Sequence, residues 1–164
     1  MTFFEVEMDP TIERRILFLI DAAKFEEKRD QVVTYAMRVL SNHAAIGKDG
    51  GSREIKKLNR RVSAEARKLL MSVDIDTYCK ETINEHPKPL KVTWDWLRKN
   101  AHSLSKEEVW AEFQNNPMVT ITKEENDGIR ERGQNSTGDM QSRYLDQGID
   151  IVHLDRSPKE LSPS

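Results

Sequence analysis

The chain has a single cysteine among 164 residues. Cys79 therefore has no partner for an internal disulfide, which agrees with a reducing compartment and a cytoplasmic location. Long apolar runs are also missing. The longest patch, Ile16–Ile20, is far short of the roughly 18 residues of a membrane span and follows Arg14 and Arg15. The start, "MTFFEVEMDP", is acidic and has no basic region ahead of an apolar one, so no secretory signal is expected. The four histidines, His43, His86, His102 and His153, show no zinc-type spacing with one another or with Cys79. Nucleophile-elbow, dinucleotide and kinase signatures are absent, as are internal repeats and coiled-coil heptads. The glycines of "KDGGS" lack the order of a phosphate-binding P-loop. These absences leave no cofactor indicated, and Cys79 reads as a buried, inert thiol.

What is present is helix. Asp9-Pro10 is a cap followed by a proline suited to the first helical position. Ile12, Ile16, Leu19 and Ala23 then recur at helical spacing, and Val32, Val33, Ala36, Val39 and Leu40 resume it after a polar stretch. Two helices are expected, hinged near Lys24–Glu27. "AIGKDGGS" ends the second. Ser52 opens a third, with Ile55, Leu58, Val62, Ala66 and Leu69 as one apolar stripe buried against the first two.

The texture then changes. "SVDIDTYCKETI" is ambiguous between a short helix and an extended segment. Leu90, Trp94, Leu97 and Ala101 mark a further helix, and Ser105–Glu108 is a capping box for the next. Met118–Thr122 and Ile149–Leu154 read as strands. Between them Thr122 and Glu125 form a second capping box, and Gly133 is the expected stop. Ahead of the second strand, "QNSTGD" reads as a loop and "MQSRYLDQG" as a helical turn closed by Gly148. Two strands alone make a marginal ribbon, so both are expected to pack on the helices of Trp94, Trp96 and Trp110. The fold class is α+β: a helical N-terminal half of about three helices, and a smaller mixed half with at least two short strands. Residues 1–154 are expected to form one compact domain, helical over 10–71 and mixed over 73–154, with 155–164 a disordered tail.

The net charge of −2 is unevenly spread along the chain. Residues 1–72 hold 14 basic against 11 acidic side chains, and residues 73–164 hold 12 against 17. The third helix concentrates Arg53, Lys56, Lys57, Arg60, Arg61, Arg67 and Lys68 against Glu54 and Glu65. A cationic face of this kind can follow nucleic-acid phosphates or meet an acidic protein. Its plain alternative is a solvated surface. Trp96 lies off the apolar stripe of its helix, as a second-layer core residue or an interface anchor.

Glu85-His86-Pro87-Lys88-Pro89 resembles the Glu/Asp-His-x-x-Pro element of HNH-type nuclease sites. The resemblance implies His86 as general base for a phosphodiester held by Mg²⁺ or Mn²⁺, with Glu125, Asn126 or Asp127 as ligands. It covers five residues. Two predicted helices separate His86 from Asn126, where such sites use one compact ββα unit, and paired cysteines are absent. The plain reading of His86 is a histidine in a proline-framed turn.

The sequence thus points to a small cytoplasmic binding or regulatory protein, contacting nucleic acid or an acidic partner through residues 53–68. A compact charged chain of this kind suits phage or plasmid accessory proteins. The alternatives are a metal-dependent nuclease centred on Glu85 and His86, and a structural protein that self-associates, for instance as a homodimer.

Overall fold

The computed structural model describes residues 6–25, 28–131 and 140–163. In chain order its elements begin with α1 (Pro10–Phe25), α2 (Gln31–Ile46), α3 (Ser52–Leu58), β1 (Arg61–Ser63), α4 (Ala64–Leu70), α5 (Ile75–Glu81) and β2 (Thr82–Glu85). They continue with α6 (Leu90–Asn100), α7 (Lys106–Asn115), β3 (Val119–Thr122), α8 (Lys123–Glu131), α9 (Met140–Gln147), β4 (Ile151–His153) and α10 (Pro158–Leu161). The class is α+β, with ten helices and a four-stranded mixed sheet among the described residues. None of these helices is long and apolar enough to cross a membrane.

Two compact units share the chain. The first comprises Met1–Asp49 and Lys88–Pro117, the second Gly50–Pro87 and Met118–Ser164. The expected division into a helical part 10–71 and a mixed part 73–154 gives way to this interleaved one. Each unit is assembled from two separate stretches of chain, a pairing that local sequence patterns do not carry.

The first unit is helical and follows its sequence signals. The Asp9 carboxylate accepts from the Ile12 amide at 2.9 Å, and Asp30 caps α2 through the Val33 amide at 2.8 Å. Gly47 closes α2 in the left-handed region at φ 77°, where a side chain would be strained. Ile12, Ile16, Leu19 and Ala23 meet Ala36, Met37 and Leu40, together with Trp94, Leu97, Trp110 and Phe113 from α6 and α7. The Trp110 indole donates to the Val6 carbonyl at 2.9 Å, satisfying its buried polar edge. Two helices do occupy the N-terminal stretch; of the proposed hinge, Glu26 and Glu27 lie outside the described residues.

The second unit holds the sheet, ordered β2-β3-β1-β4. β1 runs parallel to β3 and antiparallel to β4, and β2 runs antiparallel to β3. The two expected strands are present, trimmed to Val119–Thr122 and Ile151–His153. β1 and β2 join them to complete the four-stranded sheet. The apolar side chains of Val119, Ile121, Ile129, Tyr144 and Ile149 form one cluster; Val62, Ala66, Leu70, Tyr78, Cys79 and Leu154 form another.

The expected third helix is not continuous. It stops at Asn59, which leaves helical geometry at φ −71°, ψ 117°. Asn59 is fully buried; its amide donates to the Met118 carbonyl at 3.0 Å, and its oxygen accepts from the Arg61 amide at 3.2 Å. Val62 then lies within β1 between two neighbouring strands, and Ser63 caps a new helix through the Ala66 amide at 3.0 Å. Val62 is buried, but within the sheet unit, and Leu58 is only half-buried. The β-branched Val62 suits a half-buried pleated surface, and tertiary pairing overrides the helical period here.

The ambiguous "SVDIDTYCKETI" becomes α5, capped by Asp74, followed by β2. Thr122 and Glu125 form the expected capping box, each side chain accepting from the other's amide. Gly148 closes α9 at φ 65°; Gly133 and the loop 134–139 lie outside the described residues. The expected tail also needs correction. Ser157 and Pro158 are buried, Pro158 opens α10, and the Ser162 hydroxyl donates to the Val73 carbonyl at 2.7 Å.

Candidate anion-binding surface

Breaking the third helix disperses its cations. Arg53, Lys56 and Lys57 ride on α3, Arg60 precedes β1, Arg61 lies in β1, and Arg67 and Lys68 ride on α4. Several have partners, most of them at the surface. Arg53 pairs with Asp76, Lys56 donates to the Cys79 carbonyl at 2.8 Å, and Arg60 donates to the Asp155 carbonyl at 3.1 Å. Lys68 pairs with Glu65 at 3.0 Å, while Arg67 is exposed. Burial lowers the pKa of Lys56 and of Arg61, since a charged group loses hydration there. The seven residues do not form one cationic face.

The charge asymmetry between chain halves disappears in the same way. The second unit carries 14 basic and 15 acidic residues and the first 12 and 13, so each has a net charge of −1.

A smaller basic surface remains. Arg53 and Lys57 are one turn apart on α3 and share a side of that helix. α10 packs against α3, bringing Lys159 to the same place. With Gly51, Glu54 and Leu58 they line an open concavity of about 520 Å³. Its lining holds three cations and one carboxylate; with Arg53 paired to Asp76, Lys57 and Lys159 carry its basic character. Lys159 falls in a segment whose composition suggests a tail, yet Ser157-Pro158 is a legible helix start. Lys68 lies elsewhere, in a groove of about 370 Å³ shared with Glu65, Glu81, Lys123 and Glu124. Acidic side chains dominate that groove.

Glu85 and His86 lie at the end of β2 and at the start of the turn that follows it. Glu85 is buried at the end of β2. Its Oε1 accepts from Arg143 at 2.5 Å and its Oε2 from the Tyr144 hydroxyl. Burial pushes the Glu85 carboxyl above its ordinary range, opposed by the Tyr144 donor and the Arg143 charge. The Tyr144 hydroxyl is raised as well, first by burial and then by the adjacent carboxylate. Arg143 also donates to the backbone carbonyls of His86 and Pro87, at 2.9 and 2.7 Å. This cluster fixes the turn; its carboxylate oxygens are already committed.

The other proposed ligands stand elsewhere. Glu85 is paired with Val119 across the β2–β3 ladder, whereas Thr122 is paired with Thr82. Glu125 is held at that far end, its Oε1 accepting from the Thr122 amide at 2.9 Å and from the Ser63 hydroxyl at 2.5 Å. Three residues of strand separate the ends, about 10 Å. Asn126 and Asp127 follow Glu125 in α8. Among the described residues, no three His, Cys, Asp or Glu side chains group to hold a metal ion.

Cys79 is buried, and burial raises its thiol pKa although Arg53, Lys56 and Lys57 act the other way. Trp96 is half-buried against the helical core, with the Lys88 ammonium 5.9 Å from its ring centre. No family model, curated protein or solved structure matches the chain.

Proposed function

We propose that this is a binding protein that takes backbone phosphates of nucleic acid in the groove of Arg53, Lys57 and Lys159. One observation carries the reading: cations from α3 and α10, distant in sequence, converge on one open concavity. Its volume falls in the range of small-ligand pockets, and its cations are the residue types that bind phosphate. Glu54 on the rim reduces the local charge and limits the number of phosphates held.

Fluorescence anisotropy with labelled duplex DNA and single-stranded RNA, over a series of salt concentrations, tests this. Lys57 and Lys159, the two cations of the groove not paired with Asp76, should give a log-affinity against log-salt slope of about −2 for duplex DNA. Lys57→Glu with Lys159→Glu should weaken binding and flatten that slope by roughly 2 for duplex DNA. An unaltered slope would remove the groove from consideration. Salt-sensitive capture of an acidic protein, with no nucleic-acid binding, would replace the ligand class.

A further inference from the structure

The outer face of α1, turned away from the core residues Ile12, Ile16, Leu19, Ile20 and Ala23, carries three large apolar side chains among Thr11, Arg14, Asp21 and Lys24. Leu17 is 50% exposed and Phe25 78%, and Phe18 stands exposed between them. Val32 and Tyr35 on α2 are exposed too, and the Arg15 guanidinium lies 5.7 Å from the Tyr35 ring centre, bridging the two helices. Large apolar side chains gathered on one surface mark an interaction site more often than scattered ones do.

The order of residues along that face identifies its occupant. Pro10, Arg14, Leu17, Phe18, Asp21 and Phe25 are all exposed. Their steps of four, three, one, three and four read the same in both directions. A two-fold axis between Leu17 and Phe18, with a second α1 antiparallel, sets Leu17 against Phe18 of the other copy. The same operation sets Arg14 against the second copy's Asp21, and Pro10 against its Phe25, each contact occurring twice. Self-complementarity of this kind is what a closed two-fold interface requires. Within one helix Arg14 and Asp21 are about 10 Å apart along the axis, too far to pair directly.

We infer that the protein forms a homodimer through antiparallel packing of α1, with Arg14–Asp21 pairs flanking a Leu17–Phe18 centre. The inference is independent of the basic groove, which belongs to the second unit.

Sedimentation equilibrium of the full chain over a concentration series tests it, with circular dichroism as a check on folding. The wild type should be a dimer. Phe18→Glu should weaken association at least about 30-fold, as loss of a central anchor does. Arg14→Asp should weaken it about tenfold, because two attractive pairs become repulsive. The double variant, Arg14→Asp with Asp21→Arg, should restore it, since only this register pairs the two positions. A wild type that stays monomeric throughout, or a double variant no tighter than the single one, would overturn the proposal. The charge exchange decides the matter even if Phe18→Glu fails to fold.

Discussion

Arg143 is the largest of the fully buried side chains among the described residues, and its position in "MQSRYLDQG" does not show what it does. Its guanidinium gathers the Glu85 carboxylate and two carbonyls of the proline-framed turn. Removing one partner from a buried pair leaves the other charge uncompensated, so Arg143→Ala should cost about 3–5 kcal/mol. The loss should depend on pH. Without the guanidinium, the Glu85 carboxyl rises further above its ordinary range, so the folded variant keeps a proton that the unfolded chain releases. Its stability is then greatest below the ordinary carboxylate pKa, about 4.3, and falls as pH rises through the raised value. Urea melts of wild type and variant at about pH 4 and about pH 7 should show a larger deficit at the higher pH. A deficit that ignores pH would mean the carboxyl stays ionised in the variant. The sequence marks Glu85 and His86 as neighbours ahead of a proline-framed turn; the arginine that bonds the His86 carbonyl comes from 57 residues away.

At the level of elements, the segment from Ser52 to Leu70 tests which force decides local structure. Its period suits a helix throughout, but Asn59 and Ser63 are the side chains that end one helix and cap another. Both residue types were legible, while the sheet that gives Val62 its neighbours was not. Val62 is fully buried between strands and Leu58 is half-buried, so the two should respond differently to truncation. Val62→Ala should cost about 2 kcal/mol or more, and Leu58→Ala about 1 kcal/mol, because a partly exposed site leaves less of a cavity. Chemical denaturation of the two variants checks the order. Equal losses would mean that the helix continues through Val62 in solution. Hydrogen exchange at the Val62 amide should also be slow, as for other core strands.

Across the whole molecule, all three tryptophans, Trp94, Trp96 and Trp110, belong to the first unit, and the second has none. Each unit has its own apolar core, which is the condition for separate cooperative unfolding. Ile121→Ala, in the sheet, should cost about 2–5 kcal/mol in the second unit. That loss should shift the circular-dichroism transition while leaving the tryptophan-monitored one near its wild-type midpoint. A shared shift in both signals would show that the units unfold together.

The sequence by itself determined the first two helices, the caps at Asp9, Ser105 and Thr122, the glycine-rich break after the second helix and both late strands. These are local matters, set by side-chain hydrogen bonds, backbone preferences and apolar spacing over a few residues. Tertiary structure decided the rest. It turned Val62 into strand, because β3 and β4 flank it and pair with its segment, and divided seven cations among three elements and a loop. It also brought Lys159 to Arg53 and Lys57 by docking α10 on α3. Glu85 became half of a buried pair only when α9 delivered Arg143. Such outcomes depend on which distant segments bury each other's apolar surface, and that information is shared between segments rather than written in either one.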